Sequence, residues 1–356
     1  MSDHATRKAD HLDLCATDEV AFRGKTTLME QVTLIHDALP ELDLNDIDIS
    51  TQFANKTLRA PLFIAAMTGG VDRADAINRD LASVAEELGI GFGFGSMRPL
   101  LDDPNAPGYR VRDIAPNALI LANLGLVQAR ESSTEAVQRL VDHAGCDALC
   151  VHLNPAMEVI QPGGDTDFRD GLSTIARLVR DLQQPIIVKE TGCGLSRTVG
   201  QRLVDIGVKW VDVSGSGGTS WVGVETLRAR AKTRALGELY WDWGIPTAAS
   251  VAQLSGLGLG IIATGGVTSG LDIARAIALG ATAGGMARPL LIAWNEGGRD
   301  GARDKALEIL EAIRLACLLT GARTPLQLQE CPLLIGPDLA RWVPEGTSLE
   351  SRLPSR

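Results

Sequence analysis

The chain has 356 residues, 45% of them apolar, with 34 basic and 44 acidic side chains and a formal net charge of −10 at pH 7. That size suits a single α/β barrel with extensions, and the apolar share suits a well-buried core. The acidic balance argues against nucleic-acid binding, so an anionic ligand needs a local basic cluster.

The N-terminal stretch Met1–Asp13 is polar and charged, unlike a signal peptide. No run of ~20 apolar residues is present to span a membrane. A cytoplasmic protein is expected. Six cysteines (15, 146, 150, 193, 317 and 331) form no CxxC pair and read as small buried hydrophobes in a reducing compartment.

The first sixty residues are irregular and read as an N-terminal extension, 1–60, packing on the body of the fold. Short apolar runs then begin, each ending in glycine or a polar residue. They are Leu62–Met67, Ile90–Gly95, Leu119–Leu124, Ala148–Leu153, Ile186–Lys189, Trp210–Ser214, Gly260–Thr264 and Ala283–Ala287. Their length fits buried parallel strands.

Helical patterns lie between most of them. Ala74–Leu88 stops at Gly89, Thr134–His143 ends at Gly145, and Gly171–Leu182 ends before Pro185. Ser196–Ile206 and Leu271–Leu279 follow, with Ser196 and Ser269 as N-cap residues. Residues 217–258 exceed one helix and predict a loop and a second helix over the barrel top. Asp304–Leu319 lacks Gly and Pro and reads as a helix. Eight strands alternating with helices predict an α/β fold, a (β/α)8 TIM barrel over 61–330 with a C-terminal tail at 331–356. An open doubly wound sheet is the alternative.

The strand ends carry the chemistry. Met67-Thr68-Gly69-Gly70, Gly95-Ser96-Met97-Arg98 and Asn123-Leu124-Gly125 follow the first three strands. His152-Leu153-Asn154 follows the fourth and Lys189-Glu190 the fifth. Ser214-Gly215-Ser216-Gly217-Gly218-Thr219 follows the sixth. Gly265-Gly266 after strand seven and Gly285-Met286-Ala287 after strand eight stand where barrels bind phosphate through backbone N–H groups and a helix N-terminus. Lys189 either reaches solvent or places its ammonium in the barrel mouth. Arg7, Lys8 and His11 form a basic knot that is either a disordered tail or part of an anion grip, with Arg98 a further phosphate candidate. Glu158 is a candidate Mg²⁺ ligand, since that ion takes one or two carboxylates plus waters and phosphate oxygens. Otherwise it is a solvated charge.

These residues resemble the FMN-dependent type 2 isopentenyl-diphosphate isomerases. The likeness runs from Arg7-Lys8-Ala9-Asp10-His11 to Thr324, through the motifs MTGG, GSMR, HLNP, GGTSW, GIPTA and GMARPLL. The resemblance implies a barrel that binds FMN, active when reduced by NAD(P)H, and Mg²⁺. It implies interconversion of isopentenyl and dimethylallyl diphosphate. By motif, FMN meets Ala66, Met67, Thr68, Ser96, Asn123, Lys189, Ser214, Thr219, Gly265, Gly266, Met286 and Ala287. The small diphosphate substrate meets Arg7, Lys8, Ser96, Arg98, His152 and Asn154, Glu158 holds Mg²⁺, and His11 and Trp221 line the substrate pocket. Glu225 matches a carboxylate that helps supply protons, and the assembly is a homotetramer or homo-octamer.

Met157 departs from the resemblance. It stands where that family carries a proton-transferring Gln, and a thioether carries no proton. Gln161 lies four residues on, in a register that argues against its replacing that Gln. The flavin then supplies the essential protons, another group or water relays them, or the chain runs another alkene protonation such as a carotenoid cyclisation. A 2-hydroxy-acid oxidase is a further alternative. It needs a catalytic His near the end of the barrel, and no His follows His152.

Overall fold

The computed structural model describes residue 14, residues 17–70 and residues 72–350. Eight parallel strands close into a barrel: β1 (Leu62–Ile64), β2 (Gly91–Gly93), β3 (Leu119–Gly125), β4 (Ala148–Leu153), β5 (Ile186–Glu190), β6 (Trp210–Asp212), β7 (Gly260–Ala263) and β8 (Ala283–Met286). Each strand pairs with the next in sequence, and β8 returns to β1 through Gly284 opposite Leu62. The open-sheet alternative is thereby excluded.

The helices of eight or more residues lie between and after the strands, and those expected from Ala74, Thr134, Gly171, Ser196 and Leu271 shift only slightly at their ends. They are α1 (Asp72–Leu88), α2 (Thr134–His143), α3 (Gly171–Asp181), α4 (Arg197–Asp205), α5 (Trp221–Arg228), α6 (Ala231–Tyr240), α7 (Thr247–Leu254), α8 (Gly270–Ala278) and α9 (Arg288–Leu319). Ser196 and Ser269 cap α4 and α8. At Ser269 the hydroxyl accepts from the Asp272 N–H while the Asp272 carboxylate reaches back, a capping box that contributes about 1 kcal/mol. Gly89 ends α1 at φ +66°, a conformation that costs most residues strain.

Two expectations are corrected. Residues 217–258 form three helices, α5 to α7, rather than one helix followed by a loop and a second. The last long helix starts at Arg288, sixteen residues before the predicted Asp304, and breaks at Gly298, whose φ/ψ of 61/−148° is not helical. In the added N-terminal part Leu290, Leu291 and Ala302 are buried, so the early start removes apolar surface from water.

The barrel's lower end is plugged by a hairpin, Thr51–Phe53 with Lys56–Leu58. Phe53 is fully buried and meets Phe63 and Trp210 with ring centroids at 4.9 and 4.2 Å. Lys56 fixes the hairpin there. Its ammonium donates to the carbonyls of Asn117 and Ala118, just before β3, and pairs with Asp147 at 2.8 Å, just before β4. The opposite, C-terminal end stays open. Val32–Leu34 and Leu333–Ile335 pair antiparallel outside the barrel.

Candidate active site

Side chains along a strand alternate between its two faces. Leu119, Leu121 and Asn123 therefore share the interior face of β3, as do Ala148, Cys150 and His152 on β4. Ile187 and Lys189 share it on β5, and Trp210 and Asp212 on β6. The lower members pack as one apolar cluster with Phe63, Ile262 and Ala283. The upper members are polar: Asn123, His152 and Lys189 form the floor of a cavity of about 770 Å³ at the open end, and Asp212 borders a small void of about 20 Å³ instead.

One wall is a phosphate-type cradle. Gly265 and Gly266 adopt φ +93° and +72°, and a side chain on Gly265 would collide with the Gly215 backbone. The N–H groups of Gly265, Gly266 and Ala287 donate to no group among the described residues. Helix α9 begins here and adds the positive end of its dipole. Arg288, its first residue, lines the cavity and pairs with Asp18 at 2.6 Å, yet its buried Nε lacks a partner. A buried donor in that state costs about 1–3 kcal/mol until a ligand satisfies it.

The opposite wall carries Arg98, Asn154, Met157, Glu158 and Gln161. Glu158 is held by its neighbours: Asn154 Nδ2 donates to Oε1 at 2.8 Å, and the Asp165 N–H and Gln161 Nε2 donate to Oε2 at 2.9 and 3.2 Å. Oε1, with one donor, keeps acceptor capacity, whereas Oε2 already takes two. No cluster of three or more His, Cys, Asp or Glu side chains occurs among the described residues, so a cation here relies on one carboxylate, water and the ligand itself.

His152 lies between the two walls, half-buried, with Nδ1 2.7 Å from Asn123 Oδ1. The Asn123 amide is oriented by its Nδ2, which donates to the Phe94 carbonyl at 3.0 Å. Asn123 Oδ1 is thus the acceptor, His152 Nδ1 carries the proton, and Nε2 of the neutral ring is a bare acceptor. Burial and the nearby Lys189 ammonium push the His152 pKa down to about 4. Lys189 donates to the Glu190 carbonyl at 2.6 Å and lies 3.8 Å from Asp212. Burial raises the Asp212 pKa and pushes that of Glu190 up to about 7.

The cavity gathers most of the residues singled out from the sequence. Ala66, Met67, Thr68, Ser96, Asn123, Lys189, Ser214, Thr219, Gly265, Gly266, Met286 and Ala287 all line it. So do Arg98, His152, Asn154, Met157, Glu158 and Trp221. Glu225 does not line it. It is buried one turn beyond Trp221 and paired with Arg228 at 2.8 Å. Arg7, Lys8, His11 and Cys15 lie outside the described residues. Cys193 departs from the buried-cysteine reading, being half-buried with Sγ 3.5 Å from the Trp243 carbonyl.

Several residues in or beside the site, Arg288, Gln161, Gln128 and Asp212 among them, were not assigned to it from the sequence. Arg288 sat in plain view after the strand-eight glycines, and its place at the first turn of α9 was the available signal. Gln161 lines the cavity from a helical turn and Gln128 from the short helix Leu126–Glu131 that follows β3. Asp212 follows Trp210 by two, so strand alternation alone puts it on the inner face.

A family model for FMN-dependent dehydrogenases matches residues 159–333. With the closed barrel and its glycine-rich cradle, that match, over just under half of the chain, likens it to FMN-dependent barrel enzymes. Over 341 residues the chain is 43% identical to an isopentenyl-diphosphate delta-isomerase of Methanosarcina barkeri, covering 94% of this chain and 93% of the relative. An isopentenyl-diphosphate delta-isomerase of Synechococcus sp. is 48% identical, covering 82% and 85% of the two chains. The chain belongs to the isopentenyl-diphosphate delta-isomerase family. Among solved structures, a mandelate oxidase variant carrying a monooxide FMN adduct superposes with a TM-score of 0.65 over 91% of this chain and 95% of that one. At 21% identity that likeness speaks for the fold alone.

Proposed function

We propose that this protein interconverts isopentenyl and dimethylallyl diphosphate, using FMN in its reduced form and Mg²⁺. One observation carries the reading: a single cavity joins a phosphate-type cradle on one wall to a cation-and-carboxylate grip on the other. The cradle fits the FMN phosphate. The uncommitted N–H groups of Gly265, Gly266 and Ala287 and the orphaned Nε of Arg288 are donors waiting for an anion. Lys189, Asn123, Ser96 and the Ala66–Thr68 segment would bracket the ring. When bound, reduced FMN supplies the acid–base chemistry that moves the double bond.

The other wall fits a diphosphate. Arg98 offers a guanidinium suited to paired phosphate oxygens. Asn154 and His152 flank it, and Arg7 and Lys8 are proposed to complete the grip. Glu158 would hold Mg²⁺ against the diphosphate, in keeping with that ion's preference for few carboxylates and many waters. Trp221 and His11 would enclose the hydrocarbon end. A dry pocket there keeps water from trapping a cationic intermediate. Glu225 is proposed to supply protons from behind this wall.

Anaerobic incubation of the protein with NAD(P)H-reduced FMN, Mg²⁺ and isopentenyl diphosphate tests the reading. Dimethylallyl diphosphate is the expected product. Its absence under full flavin reduction rejects the proposal, and activity without Mg²⁺ rejects the metal's role. A cytoplasmic homotetramer or homo-octamer is proposed as the working form. Exposed Leu239, Tyr240 and Trp243 supply apolar contact surface for it, and light scattering checks the size. No helix among the described residues is long and apolar enough to cross a membrane.

A further inference from the structure

His152, Lys189 and Asp212 occupy one row across three strands. His152 pairs in register with Lys189, and Lys189 with Asp212. All three project into the barrel at its upper layer, but they face different spaces. Lys189 lines the main cavity, whereas Asp212 does not. Asp212 instead borders a second void of about 20 Å³ beneath it, shared with Lys189, Thr264 and Cys150. That volume holds about one water molecule, and the lysine, the carboxylate and the threonine give it polar partners.

Asp212 is tightly anchored. Its Oδ1 accepts from the Thr264 hydroxyl at 2.5 Å and from the Ser214 N–H at 3.1 Å. That leaves Oδ2 facing the Lys189 ammonium at 3.8 Å. Lys189 and Asp212 are only 9% and 5% exposed. An ammonium with so little exposure is favoured as a cation by a compensating charge beside it. The Glu190 carbonyl supplies a dipole, but among the described residues only Asp212 is ion-paired with Lys189.

We propose that Asp212 is a positioning residue that keeps the Lys189 side chain charged and aimed at the flavin ring, without touching the cofactor itself. The inference rests on the reading of this cavity as an FMN site. Its effect is on the balance between oxidised and reduced cofactor. A cation under the ring favours the reduced, anionic form, so losing that charge weakens binding of reduced FMN relative to oxidised FMN.

Other titratable groups around the pair are separable. Cys150 on β4 is pushed up to about 12 and His152 down to about 4, so neither changes charge near neutrality. Glu190, on the other face of β5, changes charge near 7. It also feels the Lys189 charge, so Lys189→Met, which lacks that charge at every pH, is the reference against which the Asp212 variants are read.

The test titrates wild type, Asp212→Asn, Lys189→Met and the double variant with oxidised and with reduced FMN, at about pH 6 and about pH 9. Binding of oxidised FMN by the wild type tests the cavity reading alone. For the inference, Asp212→Asn is expected to lose about tenfold in the reduced-to-oxidised affinity ratio at the higher pH and to recover it at the lower. Lys189→Met loses it at both, and the double variant is no worse than Lys189→Met. A loss in Asp212→Asn that is the same at both pH values, or a double variant lower than Lys189→Met, overturns the proposal. Asp212→Ser, smaller and less demanding of the interior, carries the same expectations should the asparagine variant not fold.

Discussion

Gln161 sits one helical turn beyond Met157, and its backbone N–H donates to the Met157 carbonyl at 3.0 Å. Residues four apart on such a turn share a face, and both side chains line the cavity beside Glu158. The register along the chain had argued that Gln161 does not replace an amide at 157. In space the two positions are neighbours, and the Gln161 amide already touches the carboxylate at 3.2 Å.

This geometry predicts a coupling between the two positions. Gln161→Ala is expected to lower kcat/KM by roughly tenfold to a hundredfold in the wild type, on the scale of a lost proton-transfer partner. Met157→Gln in the same background restores most of that loss, because it puts an amide back on the same face. A double-mutant cycle on steady-state rates measures the coupling. Additive effects would show that Gln161 only steadies Glu158.

Arg288 should dominate retention of the cofactor. Its Nε is buried without a partner, and the surrounding N–H groups all point to an anion. Arg288→Met is expected to weaken FMN binding by roughly tenfold to a hundredfold, the scale of one lost charge-assisted contact of about 1.5–3 kcal/mol. Flavin fluorescence quenching reads this directly. Asp18→Asn, which removes the competing carboxylate at 2.6 Å, should strengthen binding slightly. A variant at Arg288 that binds FMN as tightly as wild type sinks the assignment.

Much of this site was legible before the fold was known, for a physical reason. Backbone cradles need glycine, so Gly265, Gly266 and Gly285 mark the phosphate wall by residue type. Strand ends are abrupt changes from apolar to polar, so Asn123, His152 and Lys189 mark the floor. What stayed hidden depends on three-dimensional neighbours. Gln161 needed the turn at Asn154–Gln161 to bring it beside Met157. Arg288 was hidden because its helix starts earlier than apolar periodicity implied, with Gly297 and Gly298 breaking the pattern. The three helices α5 to α7 were blurred by short lengths and by buried polar residues such as Glu225 and Thr226.

His152 predicts proton uptake on ligand binding. Its neutral ring presents an acceptor at Nε2, because Nδ1 donates to Asn123. A diphosphate oxygen needs a donor there, so binding must bring a proton to the ring. The anion then raises a pKa that starts at about 4. Affinity for the diphosphate should therefore fall as pH rises through neutrality, by at most about tenfold per unit. Calorimetry in buffers of different ionisation enthalpy measures the uptake, and His152→Asn should abolish its share. Equal proton counts in the two proteins contradict the tautomer assignment.

Glu190 predicts a stability profile of opposite sign to that of His152. Burial raises its folded-state pKa from 4.5 to about 7. A carboxyl group shifted upward contributes stability that is fully present below about 4.5 and is lost as pH rises through about 7. His152, shifted downward from 6.5 to about 4, contributes stability present above 6.5 and lost as pH falls through 4. Glu190→Gln separates them. The amide oxygen still accepts from the Thr191 and Cys193 N–H groups that Glu190 Oε2 now serves, and it carries no charge at any pH. Relative to wild type, the variant should gain stability on going from about pH 5 to about pH 8, by up to about 3 kcal/mol if its amide hydrogens find partners. Urea denaturation at the two pH values measures the difference. Parallel wild-type and variant profiles would mean that Glu190 is ionised in the folded protein without penalty, held by the surrounding N–H groups and the Lys189 charge.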